Sequence, residues 1–167
     1  MLKIATSLSQ LRFSELMAVY EEGNRLTGQD RYPHLSENER QLRAEQEFYQ
    51  YLRECFFPTD GAVYAIWEER GRYVSALRLE PYRDGLLLEA LETVPLDRGN
   101  GYAAVLIRAV QRWLAERGSI NVYSHVDKRN TPSLAVHKAC GFENVLDYGV
   151  CADGSVMRNF VTLLWHN

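Results

Sequence analysis

The sequence has few of the features that mark several common classes of protein. Its 167 residues include three cysteines, Cys55, Cys140 and Cys151, with no CxxC pair. An odd count at wide spacing argues against a disulfide framework or a zinc site, so we expect a reducing, cytoplasmic setting and no bound metal. No apolar run approaches the ~18 residues of a membrane span, and residues 1–13 contain no apolar core of signal-peptide length.

An excess of positive charge is also absent. The formal net charge is −3, so the field of the whole molecule does not attract nucleic acid. We therefore expect neither nucleic acid nor a membrane as a partner. The GxxxxGK[ST] pattern of P-loop proteins is missing as well. The length suits one domain over 1–167, and any binding of an anionic ligand must rest on local geometry.

The order of predicted elements indicates an α+β fold. Strands are predicted over 3–6, 62–69, 73–80, 86–93, 120–126, 142–151 and 155–166, and helices over 9–23, 36–56, 101–117 and 132–139. Hairpin turns are expected at 70–71, 84–85 and 153–154, and a loop at 25–35. The only parallel pair should flank the 101–117 helix. These elements predict a mixed, largely antiparallel sheet of six to seven strands with helices on both faces.

The stretch VPLDRGNGYAAVL, residues 94–106, places two glycines at the start of a predicted helix. The first N–H groups of a helix lack partners and carry partial positive charge. Glycine lets the backbone adopt a positive φ and lets a ligand come close. Together they favour an anion cradle that suits phosphate, with Arg98 at its rim. A tight strand-to-helix turn that needs glycine for its own geometry is the alternative.

Residues 99–104, GNGYAA, also satisfy a G-x-G-x-x-A dinucleotide pattern. That fingerprint normally lies in the first βα unit and is followed by an acidic residue about 20 positions on. Here the match lies late in the chain, and 120–126 contains no acidic residue. A nicotinamide-dependent enzyme is therefore an alternative that the sequence disfavours.

Two motifs in order carry a resemblance to a known family. The stretch 94–103 resembles motif A of the GNAT acyl-CoA N-acyltransferases, R/Q-x-x-G-x-G/A, with Arg98, Gly101 and Ala103 at its defined positions. The stretch 130–142 resembles motif B, an asparagine followed by a short helix and Gly-Phe. One helix and one strand separate the motifs, and the matching order of elements covers 62–166. The first 60 positions carry no motif.

The resemblance implies a GNAT fold that transfers the acetyl group of acetyl-CoA directly to a primary amine of a small molecule or peptide in a ternary complex. The diphosphate of acetyl-CoA would lie on motif A, and its thioester between strands 86–93 and 120–126, which would diverge at their C-terminal ends. A non-catalytic acyl-CoA sensor on the same fold is the alternative function. A homodimer is possible on this fold, and the sequence does not decide the oligomeric state. The cofactor-binding residues that the resemblance implies are Leu91, Thr93, Val94, Arg98, Gly99, Asn100, Gly101, Tyr102, Ala103, Asn130 and Ser133.

Three residues are candidates for the chemistry. Glu89 interrupts the apolar stretch LLLEALET, and a buried carboxylate is costly unless it faces a partner, a cavity or water. The resemblance makes Glu89 an amine contact or proton acceptor, with Glu92 as a second candidate at a bulge or rim. His137 stands where the family commonly has a tyrosine that protonates the thiolate. Histidine can donate a proton, but it is shorter, so Tyr102 and Tyr123 stay alternatives.

The remaining candidates have ordinary structural alternatives. Asn130 either contacts the cofactor or caps the helix that follows it. Lys128 and Arg129 are candidates to bind the phosphates of the nucleotide. Alternatively, they are solvent-exposed side chains that bind no ligand. The aromatic residues of the 36–56 helix and its end are predicted to face the core. Alternatively, some of them line an acceptor pocket. They are Phe48, Tyr49, Tyr51, Phe56 and the adjoining Phe57.

Overall fold

The computed structural model describes residues 1–167. Its strands are β1 (Leu2–Ala5), β2 (Val63–Glu69), β3 (Arg72–Tyr82), β4 (Gly85–Thr93), β5 (Asn121–Asp127), β6 (Glu143–Leu146), β7 (Gly149–Val150), β8 (Val156–Met157) and β9 (Phe160–His166). Its α-helices are α1 (Phe13–Val19), α2 (Glu21–Arg31), α3 (Glu37–Tyr51), α4 (Tyr102–Ala115) and α5 (Thr131–Ala139). Short 3₁₀ turns cover Leu8–Gln10 and Pro95–Asp97, and a π-helical turn, Leu52–Phe56, continues α3.

Seven strands form one sheet in the order β1-β2-β3-β4-β5-β9-β6, and β7 pairs with β8 in a separate ribbon. Neighbours in the sheet are antiparallel except for β4 and β5, which are parallel and joined through α4. The predicted α+β fold with a largely antiparallel sheet is confirmed, and so is the single parallel pair.

Two hydrophobic cores lie on opposite faces of this sheet. The first packs Leu106 and Ile107 of α4 against Leu88 of β4 and its neighbours. The second lies beneath α1 and α3 and contains Leu16 and Tyr64. The sheet is therefore covered on both sides, as predicted. None of the helices is both long and apolar enough to cross a membrane.

The N-terminal region differs from the prediction of one helix over 9–23 and a loop over 25–35. The structure has two helices there, because the chain breaks at Tyr20 (φ −96°, ψ 13°) and continues as α2 to Arg31. Gly28, which suggested a loop, lies inside α2. A Cβ atom at Gly28 would lie 2.8 Å from the carbonyl oxygen of Arg40 in α3. Glycine therefore serves here to bring α2 and α3 close together rather than to end a helix.

The start of α3 is as predicted, and its end is not. Ser36 and Glu39 form the expected capping box, in which the N–H of Ser36 donates to Oε2 of Glu39 at 3.0 Å. The α-helix ends at Tyr51, where the wider π-helical turn begins.

The two long C-terminal strands predicted over 142–151 and 155–166 are each broken in the structure. The outer segment β6 pairs with β9 in the main sheet, whereas β7 and β8 pair only with each other. The predicted turn at 153–154 lies between the two halves, with Gly154 at φ +85°. The hairpin is therefore present, but the strands nearest its turn, β7 and β8, lie outside the main sheet.

The turn between β3 and β4 is displaced by one residue from the predicted 84–85. Tyr82 pairs with Gly85, so the turn residues are Arg83, at φ +51°, and Asp84. Gly85 is instead the first residue of β4 and lies opposite Asn121 of β5. A Cβ atom at Gly85 would lie 2.0 Å from the carbonyl oxygen of Asn121. The absence of a side chain at Gly85 therefore sets how closely the two parallel strands approach.

We predict that Gly85→Ala lowers the free energy of unfolding by about 1–3 kcal/mol, the usual cost of forcing an extra carbon into a packed site. Gly23→Ala is the matched control, because a Cβ atom at Gly23 in α2 would meet no atom within 4 Å. It should stabilise the protein by up to about 1 kcal/mol. Urea denaturation measures both effects. Equal stability of Gly85→Ala and the wild type would show that β4 and β5 do not approach this closely.

Candidate functional site

Strands β4 and β5 separate after four residue pairs. Their pairing runs from Gly85↔Asn121 to Leu88↔Ser124, although β4 extends to Thr93 and β5 extends to Asp127. The C-terminal halves of the two parallel strands therefore diverge and leave a gap in the sheet.

A β-bulge in β4 accounts for this divergence. The register between β3 and β4 moves from Arg78↔Glu89 to Ala76↔Glu92, so that Ala90 and Leu91 lie opposite the single residue Leu77. Ala90 has φ +51°, a left-handed conformation that is uncommon for a residue with a side chain. Such a bulge bends the strand and interrupts its pairing.

A cleft of about 610 Å³ lies between the C-terminal end of β4, the start of α4 and α5, the helix that follows β5. It brings together most of the predicted cofactor-binding residues, together with Glu92 and Ala104. The predicted residues that line it are Leu91, Glu92, Thr93, Arg98, Gly99, Gly101, Tyr102, Ala103, Asn130 and Ser133. Of the other predicted residues, Val94, Asn100, Glu89 and His137 do not line it.

The start of α4 forms an open cradle of backbone amides. Gly99 and Gly101 have φ of +81° and +78°, and a Cβ atom at either would meet no atom within 4 Å. The N–H of Val105 makes the first hydrogen bond of the helix, to Gly101 at 3.0 Å. The preceding amides, from Tyr102 to Ala104, have no helical partner by geometry. Unpartnered amides, open space and the positive end of the helix suit an anion such as phosphate.

The loop before α4 is held by side chains outside the cradle. The side-chain amide of Asn100 donates to the carbonyl oxygen of Asp97 at 3.0 Å, and Asp97 accepts two hydrogen bonds from Arg72 at 2.6 and 2.7 Å. Asn100 therefore supports the loop rather than lining the cleft.

Asn130 is the N-cap of α5, on the opposite wall of the cleft. Its Oδ1 accepts a hydrogen bond from the N–H of Ser133 at 3.1 Å, which is one of the two roles predicted for it. Ser133 and Val136 lie about one turn apart on α5 and both line the cleft.

Arg98 spans the mouth of the cleft through two ion pairs. Its Nη1 lies 2.6 Å from Glu22 of α2, and its Nη2 lies 3.4 Å from Glu92 of β4. Its Nε also donates to the carbonyl oxygen of Thr93 at 3.3 Å. The three side chains are 36–43% exposed, and exposed pairs of this kind contribute about 0–1 kcal/mol each. An incoming anion can therefore compete for Arg98.

The two glutamates flanking the bulge have raised pKa values. Burial raises the pKa of the Glu92 carboxyl, and Arg98 opposes that effect. Burial also raises the pKa of Glu89, opposed by Arg78, whose Nη2 lies 2.8 Å from the carboxylate. A carboxyl group with a raised pKa is a stronger base than an ordinary one, so either can accept a proton more readily.

Glu89 lies on the other face of the sheet from α4. Its partner Arg78 is stacked 4.8 Å from the ring centroid of Tyr51 and 5.6 Å from that of Phe56. Tyr51 in turn donates to Glu80 at 2.9 Å. Glu89 is thus adjacent to the bulge but belongs to a polar cluster beneath the end of α3.

The structure does not bring His137 to the cleft. The side chain is 1% exposed, its Nδ1–H donates to the carbonyl oxygen of Ser133 at 2.8 Å, and its ring lies edge-on to Phe142. Burial lowers its pKa, so the imidazole is neutral at pH 7 and is a poor proton donor. The prediction of a general acid at His137 has no geometric support, whereas the alternative Tyr102 lines the cleft.

The other candidates lie away from the cleft or are engaged elsewhere. Tyr123 donates to Asp84 at 2.7 Å, Lys128 donates to the carbonyl oxygen of Arg158 at 2.9 Å, and Arg129 pairs with Asp127. The aromatic residues of α3 and the π-helical turn pack on the second core, as predicted, except Tyr49, which is 38% exposed.

Apart from Ala104, which adjoins the predicted stretch that ends at Ala103, sequence reasoning missed four residues that line the cleft: Glu22, Asp97, Pro132 and Val136. Val136 lies one turn after Ser133, so helical spacing provided a signal for it. Glu22 had none, because the first 60 positions carry no motif. No group of three or more potential metal-ligating side chains occurs in the structure.

Comparisons with known proteins agree with this architecture. A family model described as acetyltransferase (GNAT) family matches residues 26–142. The chain is 33% identical over 112 residues to an aminoglycoside N(6′)-acetyltransferase type 1 of Salmonella typhimurium, which is 66% of this chain and 72% of that protein.

Two solved structures share the fold. The PaiA N-acetyltransferase of Thermoplasma acidophilum, in complex with coenzyme A, superposes with a TM-score of 0.67 at 12% identity and covers 100% of this chain and 99% of that one. Aminoglycoside 6′-acetyltransferase type Ii superposes with a TM-score of 0.64 at 15% identity, covering 99% and 96%. With the family model spanning most of the chain, the protein belongs to the GNAT acetyltransferase family.

Proposed function

We propose that the protein is an N-acetyltransferase that moves the acetyl group of acetyl-CoA to a primary amine of a small cationic molecule of the aminoglycoside type. The observation that carries this proposal is one continuous cleft, which joins an amide cradle at the start of α4 to the end of β4 that has separated from β5. A single domain over 1–167 would supply both parts, since its two cores share one sheet.

The residues of the cleft fit acetyl-CoA. That co-substrate would supply the acetyl thioester and an anionic diphosphate. The amides from Gly99 to Ala104 would hold the diphosphate, because the positive φ values of the two glycines leave the cradle open. Arg98 would exchange its carboxylate partners for that anion, and the wall formed by Ser133 and Val136 would enclose the rest.

Two proton movements must accompany the transfer. The nucleophile is the neutral amine, which an ammonium group becomes by losing one proton to solvent. A C–N bond then forms and a C–S bond breaks, so the nitrogen must lose a proton and the sulfur must gain one. We assign proton acceptance to Glu92, which lines the cleft and has a raised pKa. Glu89 is the second candidate, because it flanks the same bulge and also has a raised pKa. Tyr102, which lines the cleft, is assigned as the proton donor to sulfur.

Charge supports a cationic acceptor. The cleft is lined by Glu22, Glu92 and Asp97 against the single cation Arg98. A second groove of about 620 Å³, between α1, α2 and α3, is lined by Glu21, Glu37 and Glu45 with one arginine. Carboxylates near the reaction centre attract ammonium groups and repel anionic acceptors. The aminoglycoside N(6′)-acetyltransferases among the relatives point to the same class of acceptor.

The function is tested by release of free thiol from acetyl-CoA in the presence of two matched aminoglycosides. Neomycin carries an amine at the 6′ position and paromomycin carries a hydroxyl there. We expect turnover with neomycin and at least about a tenfold lower kcat/KM with paromomycin, because the 6′ amine that would attack the thioester is missing there. Stabilisation of the protein by acetyl-CoA without turnover across a panel of amines would favour the sensor alternative. Stabilisation by NADP instead of acetyl-CoA would overturn the proposal.

The cradle is tested by Ala103→Glu. A carboxylate in the first turn of α4 would face the diphosphate, and like charges about 4 Å apart at the protein surface cost on the order of 1–4 kcal/mol. We expect the Kd for CoA, measured by calorimetry, to rise about tenfold or more. The free protein should stay folded, because a negative charge near a helix N-terminus is favourable.

Two controls isolate the cause of that loss. Ala103→Gln adds the same bulk without the charge, and Ala115→Glu adds the charge at the far end of the same helix. Both should bind CoA more tightly than Ala103→Glu. An unchanged Kd in Ala103→Glu would place the anion elsewhere.

The proton acceptor is tested by Glu92→Gln and Glu89→Gln. We expect Glu92→Gln to lower kcat by about 100-fold or more, with no loss of affinity for CoA. Since the carboxylate form is the base, the wild-type rate should fall as the pH drops through the raised pKa of Glu92, and Glu92→Gln should lose that dependence. Glu89→Gln should keep it. The reverse pattern in the two pH–rate profiles would assign the base to Glu89.

A further inference from the structure

Tyr20 contacts the β4 bulge from the face of the sheet that α1 and α3 cover. It lies at the break between α1 and α2 and is 7% exposed. Its hydroxyl donates to the carbonyl oxygen of Ala90 at 2.7 Å. Its ring packs against Phe48 of α3 and edge-on against Tyr64, with centroids 5.2 and 6.4 Å away. A residue of the N-terminal helices is thus fixed to the middle of β4.

The carbonyl that Tyr20 binds has no partner in the strand registers. Ala90 and Leu91 are absent from the pairings of β4 with β3 and with β5. A left-handed conformation costs a residue with a side chain on the order of 1–2 kcal/mol. The carbonyl of Ala90 is partly buried, and a carbonyl shielded from water is stabilised by a hydrogen-bond donor. The Tyr20 hydroxyl meets that need and stabilises the bulge in this conformation.

The same hydrogen bond sets the direction of the next amide. The peptide group between Ala90 and Leu91 is trans, so its C=O and N–H point in opposite directions. The C=O points to Tyr20, on the face covered by α1 and α3. The N–H of Leu91 therefore points away from Tyr20, and Leu91 lines the cleft.

We infer that Tyr20 is a positioning residue, whose hydroxyl orients the N–H of Leu91 toward the place where the thioester carbonyl becomes negatively charged during acetyl transfer. This inference rests on the proposed function. A preorganised donor to a developing oxyanion is worth about 10²–10³ in rate. A hydrogen bond accepted by the carbonyl of a peptide also strengthens the hydrogen bond donated by its N–H.

The surroundings of Tyr20 keep its hydroxyl a donor. Burial raises the pKa of Tyr20, so the phenol stays protonated at neutral pH. Tyr64 beside it is fully buried, and its hydroxyl lies close to that of Tyr20 but makes no hydrogen bond to the bulge. The two tyrosines therefore share a burial environment and differ in whether they bind the bulge, so Tyr64→Phe is a matched control for Tyr20→Phe.

The first measurement uses the free protein and needs no substrate. In Tyr20→Phe, the carbonyl carbon of Ala90 and the amide nitrogen of Leu91 should shift in the NMR spectrum, because the carbonyl loses its donor. Tyr64→Phe should leave the Leu91 amide unchanged. No shift at Ala90 or Leu91 in Tyr20→Phe would overturn the inference, even if the protein proves not to be an acetyltransferase.

The second measurement separates positioning from stability. Tyr20→Phe should lower kcat with neomycin by about tenfold, a fraction of what removing the donor itself would cost, and should leave the Kd for CoA unchanged. Tyr64→Phe should keep wild-type kcat. Wild-type kcat in Tyr20→Phe would contradict the inference, whereas absence of turnover in the wild type would count against the proposed function instead.

The substitution Ala90→Gly distinguishes a positioning role of Tyr20 from a purely structural one. Glycine adopts φ +51° without strain, so Ala90→Gly combined with Tyr20→Phe should regain thermal stability. It should not regain kcat, because the peptide group remains unanchored. Recovery of kcat together with stability would show that Tyr20 only stabilises the fold.

Discussion

The candidate site depends on the interruption of pairing between two parallel strands. β4 and β5 are held together for four residue pairs, and the bulge at Ala90 then directs β4 away from β5. Beyond the bulge, the end of β4 lines the cleft together with the start of α4 and with α5. The bulge is conformationally costly, and the structure stabilises it from the opposite face through Tyr20. A residue of the N-terminal helices therefore stabilises the bulge at which β4 leaves β5.

Much of the fold, and the glycine-containing loop at the start of α4, could be predicted from the sequence. Period-two patterns and turn residues gave the strands of the sheet, and the glycines at 99 and 101 indicated the cradle because a positive φ is a local property of the chain. Asn130 was predicted either to contact the cofactor or to cap α5, and the cap could be inferred locally because its partner Ser133 is three residues away. Features set by neighbours in sequence were accessible to sequence reasoning.

The features that sequence reasoning missed depend on contacts between distant parts of the chain. Gly28 looked like a loop residue, but it allows α2 to pack on Arg40 of α3. Glu22 carries no motif and reaches the cleft only because α2 folds beside the loop before α4. His137 looked like a catalytic residue by position, but its side chain is turned into the core beside Phe142. No pattern in the sequence reports such tertiary contacts.

The closed end of the parallel pair has a mechanical consequence. Gly85 lies against Asn121 with no side chain between the strands, while the far ends of β4 and β5 are free of each other. The sheet thus consists of two groups of strands, β1–β4 and β5–β9–β6. They are hydrogen-bonded to each other only through the four residue pairs of β4 and β5. Because the strands are joined at one end only, their relative angle at the paired end sets how far apart their C-terminal ends lie. A glycine outside the cleft therefore helps to set how wide the cleft is.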